Sequence, residues 1–412
     1  MPHNSDIEVV ILNDYASFSG GAASVALHSS LALAARDFKV ALFTAVGPVA
    51  PVLRHCAHLD VFCSDQYDIA GDPNRFRSFY QGLWNQKAVT GLGRLLASKD
   101  PARTIVHVHS WMKALSPGVI STALDRGFPV AVTLHDFFAV CPSGGFYLHR
   151  EKQLCKRRPL SGTCLTCNCD RRNYAHKLWR VARTALQNRW LKIADRVHHY
   201  IGVSQFSVDV MKPYLSRKIP VSIVRNPVDC PDYGPAAVDK SSSFVFAGRF
   251  VAEKGVDLFA DAADRAGVQA VFVGEGELEP ELRRRFPRAA FAGWLEAAQM
   301  TATLRQARAL VFPSLWYETL GLSAIEAMAN GVPVIVSDRC AAAELVQDGF
   351  SGLHFQRGSV ESLAVQLRRL CNDDFAARLG RNAYEWYWRD PWSLDAHANQ
   401  LSCIYKSMLQ RR

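Results

Sequence analysis

The feature that most constrains the fold is an alternation of short apolar runs with stretches of helical character along almost the whole chain. The apolar runs are rich in β-branched residues and occupy positions 9–12, 40–43, 105–108, 130–133 and 200–203. A strand that is apolar at every position has both faces buried, which is typical of a parallel sheet covered by helices on both sides. The pattern therefore predicts an α/β fold.

The alternation is interrupted at residues 230–243, where Pro, Gly, Asp and Ser are frequent, as is typical of a linker. Apolar runs start again at 244–247, 270–273, 309–312 and 334–336. A chain of 412 residues has the length of about two domains. We predict two Rossmann-like domains, residues 1–229 and 244–372, whose parallel sheets face each other across a cleft. The Trp-rich, helical residues 373–412 are expected to pack back on the first domain.

The positive charge of the chain is concentrated in one segment. The sequence has 48 Lys and Arg against 38 Asp and Glu, and residues 150–196 contain 13 basic and 3 acidic side chains. The rest of the chain is balanced at 35 of each sign. This segment overlaps an insert at about residues 137–173, so we expect one local anionic partner. A composition with 49% hydrophobic and 21% charged residues is that of a globular protein and excludes disorder.

The strongest functional motif is the segment 318–326, which reads Glu-Thr-Leu-Gly-Leu-Ser-Ala-Ile-Glu. A strand is predicted to end at Ser314, and a helix is predicted to begin near Leu322. Backbone N–H groups at the start of a helix bind phosphate, helped by the positive end of the helix dipole. Glu318 and Glu326 lie on either side of this helix start, where carboxylates can bind sugar hydroxyls through charge-assisted hydrogen bonds. The alternative is a surface acid followed by a helix-capping acid.

This segment resembles the E-x7-E signature of retaining GT-B glycosyltransferases, specifically glycosyltransferase family 4. The resemblance covers nearly the whole chain and is strongest over residues 244–355. It implies a GT-B fold and transfer of a sugar from a nucleoside diphosphate, with Glu318 on the donor sugar and Glu326 on the ribose. Thr319 and Leu320 depart from the Gly-Phe that is frequent in the family, so the sequence identifies neither the sugar nor the base.

Further motifs after predicted strands match the same family. Arg249 and Lys254 stand in a G-R-x4-K-G motif, and two cations above a sheet edge can neutralise a diphosphate leaving group. Gly274, Gly276 and Trp294 resemble the base-contacting loops of the family, although glycines in tight turns are an equally simple explanation.

The first domain contributes two further matches. Gly20 and Gly21 join a strand to a helix, as in the family's loop near the donor phosphates, and His135 ends a strand where the family places a histidine that contacts the donor sugar. His107 and His109 also end a strand, and we interpret both as structural. The candidate catalytic residues are therefore His135, Arg249, Lys254 and Glu318, and the candidate donor-binding residues are Gly20, Gly21, Gly274, Gly276, Trp294, Thr319, Leu320, Gly321, Leu322 and Glu326.

Five cysteines lie in or beside the basic insert, at positions 141, 155, 164, 167 and 169. Four thiolates can hold Zn²⁺ in a tetrahedron, so one interpretation is a structural zinc site formed by Cys155, Cys164, Cys167 and Cys169. Unligated thiols and a redox role are the alternatives, because the spacing does not match paired C-x2-C modules. No Asp-x-Asp motif follows a predicted strand, and we expect no catalytic metal and no cofactor beyond the nucleoside-diphosphate sugar substrate.

The basic residues continue into a predicted helix over residues 174–193. Aromatic and aliphatic side chains recur in it at helical spacing, with cations between them: Trp179, Leu186, Trp190 and Ile193, and Lys177, Arg180 and Arg183. One interpretation is a helix that touches anionic lipid headgroups, and another is core packing beneath a solvated charged face. Nucleic acid is disfavoured because no known binding module accompanies the charge.

Together these patterns predict a retaining, metal-independent glycosyltransferase of the hexosyltransferase class. The expected acceptor is a lipid-linked saccharide or oligosaccharide of bacterial surface polysaccharide assembly, such as exopolysaccharide, lipopolysaccharide O-antigen or capsule. The alternatives are a GT-B phosphorylase, a nucleotide-sugar epimerase, or a non-catalytic protein that binds an anionic polymer or a membrane. Because the N-terminus lacks a secretory signal pattern, we expect a cytoplasmic protein, peripheral on the inner membrane face if residues 150–196 bind lipid.

Overall fold

The computed structural model describes residues 3–228 and 230–411, so the predicted domain limits at residues 1, 229 and 412 lie outside the described residues. Each predicted apolar run forms a strand, to within one residue. The elements of the N-terminal half are β1 Glu8–Tyr15, α1 Gly21–Ala34, β2 Lys39–Val46, β3 Leu59–Cys63, α2 Arg75–Leu83, α3 Gln86–Ala97, β4 Thr104–Val108, α4 Gly118–Asp125, β5 Val130–Leu134, β6 Tyr147–Leu148, β7 Gln153–Leu154, α5 Gly162–Leu165, α6 Tyr174–Ala185, α7 Ile193–Arg196, β8 His199–Gly202, α8 Gln205–Met211 and β9 Val221–Ile223.

Seven of these described strands form a parallel sheet in the order β3-β2-β1-β4-β5-β8-β9. Alternate side chains of β1 enter the two clusters on opposite faces of the sheet, with Val10 and Leu12 in one and Val9 and Ile11 in the other. Because both faces of the sheet carry apolar side chains, helices pack against both of them. Strands β3 and β9 carry no continuous apolar run that would predict them, because both lie at sheet edges, where the side chains are largely exposed.

The C-terminal half repeats the arrangement. Its elements are β10 Ser243–Ala247, α9 Val256–Ala266, β11 Gln269–Val273, α10 Glu279–Arg285, β12 Ala290–Gly293, α11 Ala297–Arg305, β13 Ala309–Phe312, α12 Leu322–Ala329, β14 Val334–Ser337, β15 Gly352–Phe355, α13 Val360–Arg369, α14 Asp373–Arg389 and α15 Leu394–Gln410. The strands form a second parallel sheet in the order β12-β11-β10-β13-β14-β15. The predicted pair of parallel α/β sheets is therefore confirmed.

The two C-terminal helices belong to different halves of the molecule. α14 packs against α12 in the C-terminal half, whereas α15 returns to the N-terminal half and packs against α1. His397 of α15 contacts Ser29 Oγ at 2.7 Å, and Tyr405 Oη lies 2.7 Å from His107 Nδ1. The expectation that C-terminal helices pack back on the first domain is confirmed for α15. Within residues 3–228 and 230–411, no helix has both the length and the apolar character that a membrane span requires.

The segment between β5 and α6 crosses to the other half of the molecule. Its antiparallel hairpin, β6 with β7, places Tyr147 in the core cluster that surrounds the second sheet. Ion pairs join Lys152 to Asp257 at 3.3 Å and Arg171 to Glu277. The charge of this insert predicted a basic surface, and in the structure the insert also connects the two halves.

Helix α6 turns Lys177 and Arg183 inward, so the interpretation as core packing beneath a solvated charged face is wrong for these two cations. Lys177 and Arg183 are only 1% and 3% exposed, whereas Leu178 on the outer side is 43% exposed. Trp190, in the π-helical turn Leu186–Trp190 that follows α6, is 69% exposed. The helical spacing was correct, but the sequence does not show which side of the helix faces the protein.

Candidate active site

A cavity of about 730 Å³ lies between the two halves, where the carboxyl ends of both sheets meet. Its walls come from segments that follow β1, β4, β5 and β9 in the first sheet and β10, β12 and β13 in the second. Eleven of the fourteen predicted site residues line it: Gly20, Gly21, His135, Arg249, Lys254, Trp294, Glu318, Thr319, Leu320, Gly321 and Leu322.

Glu318 is held by three donors that converge on one oxygen. Its Oε1 accepts from Lys254 Nζ at 2.5 Å, from Ser314 Oγ at 2.7 Å and from Trp316 Nε1 at 2.7 Å. Burial acts to raise the pKa of Glu318, but the Lys254 ammonium and the hydrogen bonds from Lys254, Trp316 and Ser314 together lower it below its ordinary value. A buried, ionised carboxylate therefore stands in the cavity wall, fixed through one oxygen.

The start of helix α12 faces the cavity without a side-chain cap. The N-cap residue is Gly321, with φ of 107°, and the cavity is lined by Leu322 and Ser323 of the first turn. Uncapped N–H groups at a helix start, together with the helix dipole, form an anion site. The Gly20-Gly21 loop lies opposite, and a Cβ atom at Gly21 would be 3.6 Å from Leu322 Cδ1. The exposed cation Arg249 lines the same cavity.

His135 is half-buried and lies at the cavity end of a row of three histidines, of which His107 and His109 are buried. Its Nε2 lies 2.9 Å from Nδ1 of His109, and the His109 ring lies 4.2 Å from the ring of His107. Burial, with a contribution from His397, lowers the pKa of His135 to about 3. Burial also lowers the pKa values of His107 and His109 well below the ordinary value. His135 therefore meets the cavity as a neutral imidazole.

Thr319 connects the two halves at the cavity edge. Its Oγ1 donates to the backbone oxygen of His135 at 2.8 Å, and its own backbone oxygen accepts from Ser204 Oγ at 2.7 Å. Nearby, Tyr317 packs against Phe137, with ring centroids 6.2 Å apart. The halves are thus in direct contact beside Glu318, so the described conformation has a narrow cleft.

Three predicted residues do not line the cavity: Gly274, Gly276 and Glu326. A Cβ atom at Gly274 would come within 2.1 Å of Gly248 O, and one at Gly276 within 2.5 Å of Phe250 O, so both glycines permit close loop packing. Glu326 lies farther along α12, where burial raises its pKa. These positions leave the roles of the three residues as predictions.

The structure adds residues that no motif indicated. Lys113 and Asn226 line the cavity from the segments after β4 and β9, and Asn226 Oδ1 is buried with no hydrogen-bond partner among the described residues. Ser314 and Trp316 support Glu318 from the same loop. For Ser314 and Trp316, placement at a predicted strand end was a usable signal, because the carboxyl ends of parallel strands meet at one edge of each sheet.

The cysteines of the insert do not form a metal site. Within the described ranges, no group of three or more His, Cys, Asp or Glu side chains could hold a metal ion. Cys164 Sγ instead accepts from Lys177 Nζ at 3.5 Å, and Cys169 Sγ lies 3.0 Å from Ser143 Oγ. The described residues therefore give no support to the structural zinc interpretation of Cys155, Cys164, Cys167 and Cys169.

Two parallel α/β sheets that face a shared cleft, with an open helix start and an ionised glutamate in its wall, define a protein of the GT-B class. The chain belongs to Glycosyltransferase Family 4, which matches residues 19–231. Residues 235–386 match the family described as Glycosyl transferases group 1.

Solved structures share the fold over almost the whole chain. Sucrose-phosphate synthase from Thermosynechococcus elongatus aligns over 98% of this chain and 100% of that chain, with a TM-score of 0.73 and 18% identity. Anabaena HepE in complex with UDP-glucose aligns over 97% of this chain and 100% of that chain, with a TM-score of 0.67 and 17% identity. At these identities the likeness shows the fold.

Curated relatives match over shorter segments. Sulfoquinovosyl transferase of Arabidopsis thaliana is 29% identical over 34% of this chain and 30% of its own length. GDP-mannose-dependent alpha-mannosyltransferase of Corynebacterium glutamicum is 32% identical over 29% of each chain. O-antigen chain mannosyltransferase C of Escherichia coli is 27% identical over 40% of this chain and 47% of its own. The chain thus spans less than half the length of each of these relatives.

Proposed function

We propose that this protein transfers a sugar from a nucleoside-diphosphate sugar to an acceptor hydroxyl with retention of the anomeric configuration. The observation that carries the proposal is the cavity wall, where a fixed glutamate carboxylate lies beside an open helix start and a cation. The carboxylate of Glu318 suits hydroxyl groups of a sugar, and the start of α12 with Arg249 suits a diphosphate. The family membership and the UDP-glucose bound by HepE support the same donor class.

In the proposed reaction, the bond from the anomeric carbon to the diphosphate oxygen breaks, and a bond to the acceptor oxygen forms on the same face. Among the described residues that line the cavity, Glu318 is the one carboxylate, and its Oε1 is engaged by three donors. This arrangement favours attack by the acceptor over a covalent glycosyl-enzyme, with the acceptor proton passing to the departing diphosphate. Arg249, Lys254 and the start of α12 supply positive charge to the leaving group, so the proposed reaction uses no metal ion.

The test is Glu318→Gln, which preserves the shape of the side chain and removes its charge. We expect kcat to fall about 10²-fold or more, because the interaction with the reacting sugar is lost. A panel of nucleoside-diphosphate sugars is first screened by thermal stabilisation, and products are then identified by mass spectrometry and NMR of the anomeric centre. Glu385→Gln, on the exposed side of α14, is the matched control. Normal turnover by Glu318→Gln, or a product of inverted configuration, would contradict the proposal.

We further propose that the acceptor is a lipid-linked saccharide met at an anionic membrane surface. An aromatic surface supports this: Phe76 and Tyr80 of α2 are 82% and 67% exposed. Helix α2 adjoins α6, because Trp179 Nε1 donates to Phe79 O at 3.2 Å. Exposed aromatic side chains beside cations suit a lipid interface. Vesicle flotation with anionic and with neutral lipids tests this proposal. We expect Phe76→Ser to reduce binding of the protein to the anionic vesicles. Absence of binding to anionic vesicles at low salt would overturn the proposal.

A further inference from the structure

A second cavity lies beside the first and is lined by the inward face of α6. It measures about 270 Å³, and its walls include Arg180 and Arg183 of α6, Arg172 before that helix, and Lys113 from the segment after β4. Lys113 lines both this cavity and the larger cleft, so the two spaces meet at its side chain.

The cations of this second cavity exceed the carboxylates that could balance them. Asp170 is occupied, since it contacts His176 Nδ1 at 2.9 Å and Arg180 Nε at 3.3 Å. Within residues 3–228 and 230–411, no carboxylate lies within 4 Å of the charged groups of Lys113, Arg172 or Arg183. Among the described residues that line the cavity, Asp68 is the one carboxylate, and it accepts from Tyr15 Oη at 2.5 Å. One carboxylate against four cations leaves the cavity with net positive charge before any ligand enters.

Arg183 is the most deeply placed of these cations. Its Nη1 donates to Met112 O at 2.8 Å, and its Nε is buried without a partner among the described residues. Its guanidinium lies 4.7 Å from the ring centroid of Trp179 and 5.6 Å from that of Phe138. Burial lowers the pKa of Arg183 to about 9. A buried guanidinium with an unused donor is costly in the free protein, and an entering anion would satisfy it.

The segment that carries Lys113 is fixed in place by Asp14. The Asp14 carboxylate accepts backbone N–H groups from Lys113 at 3.0 Å, Ala114 at 2.8 Å and Leu115 at 2.9 Å. The Lys113 ammonium lies 5.3 Å from the ring centroid of Tyr15, which also lines the second cavity. Asp14 thus fixes the backbone of this segment, and the exposed Lys113 side chain lines both cavities.

We infer that the second cavity binds a phosphate group of the acceptor while the acceptor hydroxyl lies in the larger cleft beyond Lys113. The inference rests on the proposed function, because it assigns the acceptor substrate of the same site. Arginine side chains bind phosphate oxygens in a forked geometry, and Arg172, Arg180 and Arg183 surround this space. The rings of Trp179 and Tyr15 offer apolar surface to the sugar or lipid attached to the phosphate.

The test measures binding by calorimetry with the donor site saturated by a nucleoside diphosphate. Three probes are compared: farnesyl diphosphate, glucose 1-phosphate and uncharged methyl glucoside. We expect at least one phosphate probe to bind and methyl glucoside not to bind. Tight binding of farnesyl diphosphate alone identifies a lipid-linked source, and equal binding of glucose 1-phosphate identifies a soluble phosphosugar; both outcomes support the inference.

The variants are Arg172→Gln, at the exposed mouth of the cavity, and Arg183→Gln, at its buried end. Each variant is expected to lower the affinity for the phosphate probe at least tenfold. Its affinity for the nucleoside diphosphate should be unchanged, and this unchanged affinity also shows that the variant is folded. Arg217→Gln, an exposed arginine that lines neither cavity, is the matched control. Unaltered probe affinity in both variants, or no binding of either phosphate probe, overturns the inference.

The outcome is distinguishable from failure of the proposed function. If the wild-type protein transfers sugar but the variants bind the phosphate probes with wild-type affinity, the proposed function is supported and the proposed acceptor site is wrong. If the phosphate probes bind as expected but no donor supports transfer, the site stands and the proposed function is wrong.

Discussion

His135 depends on a neighbour that no motif indicated. Strands β4 and β5 are adjacent and parallel, so the residues just after their carboxyl ends, His109 and His135, come within hydrogen-bond distance. With Nε2 of His135 taken by His109, its Nδ1 is the ring nitrogen left to meet a ligand. His109 is therefore a positioning residue in the proposed function, whereas sequence reasoning interpreted it as structural.

The corresponding prediction is that His109→Ala lowers kcat by about 10- to 100-fold, because a misplaced contact group costs roughly this much. The KM for the nucleoside-diphosphate sugar should change less. His109→Asn, whose shorter side chain still carries a hydrogen-bond donor, should recover part of kcat. His55→Ala, on an exposed histidine, is the control. Steady-state kinetics with thermal unfolding separates this from a stability effect; full activity of a stable His109→Ala protein would contradict it.

Motifs located the cleft residues that belong to strand–loop–helix patterns, but not the cleft residues that lie outside such patterns. Glu318, Arg249 and Gly321 follow recognisable strand–loop–helix patterns, and all three line the cleft. Asn226 and Lys113 carry no motif, and their positions depend on which strands lie side by side. Strand order in a sheet is a tertiary property that hydrophobic periodicity does not encode, so these residues required the structure.

At the scale of elements, the hairpin of β6 and β7 shows how an insert can serve two roles. Its residue Tyr147 is almost fully buried in the C-terminal core, yet the Tyr147 hydroxyl has no hydrogen-bond partner among the described residues. The ring therefore contributes packing energy, and the hydroxyl contributes a desolvation cost. A basic, Cys-containing sequence gave no signal of this contact, because one buried tyrosine does not change the local composition.

We expect Tyr147→Ala to lower the free energy of unfolding by about 3 kcal/mol, as for other large core truncations. Tyr147→Phe should be neutral or slightly stabilising, because it removes a buried hydroxyl that lacks a partner. Urea unfolding followed by tryptophan fluorescence measures both. Tyr80→Ala, on an exposed tyrosine of α2, should change the free energy by no more than about 0.5 kcal/mol. A loss of more than about 1 kcal/mol in Tyr147→Phe would show that the hydroxyl has a partner.

At the scale of the whole molecule, α15 joins the end of the chain to the first sheet. Its residues Tyr405 and His397 contact His107, Ser29 and the backbone oxygen of Arg225. The apolar pattern predicted both sheets, because these follow from local periodicity and connection rules. The return of the C-terminal helix was also expected, although spacing alone does not determine it. The histidine contacts that this return creates could not be predicted, since they join residues 172 to 368 positions apart.

The buried histidines predict how the stability of the whole molecule depends on pH. Burial lowers the pKa of His135 to about 3 and those of His199 and His397 to about 4, and it lowers the values of His107 and His109 as well. In the unfolded chain each histidine has a pKa of about 6.5. Between about pH 6.5 and 4 the unfolded state therefore binds more protons, and the free energy of unfolding must fall as the pH falls.

Between about pH 6.5 and 4, protonation of carboxyl groups raises the free energy of unfolding at some sites and lowers it at others. Burial raises the pKa of Asp136 to about 6, so its protonation favours the folded state as the pH falls, whereas the pKa of Glu318 is lowered and its protonation favours unfolding. Burial also raises the pKa values of Glu326 and Glu344, which act in the same direction as Asp136. Because burial lowers the pKa of His149 as well, six histidines titrate in the opposite direction and should dominate, each contributing up to about 1.4 kcal/mol per pH unit.

Urea unfolding at pH 7, 6 and 5 tests this expectation. The wild-type free energy should decrease at each step, and His397→Gln should reduce the slope by the equivalent of about one proton, whatever its effect on stability at pH 7. His55→Gln, on the exposed histidine, is expected to leave the slope close to that of the wild type. A free energy of unfolding that is constant or rises between pH 7 and 5 would mean that the histidines are hydrated in the folded protein, and the contacts of α15 with the first sheet would then be looser than the structure shows.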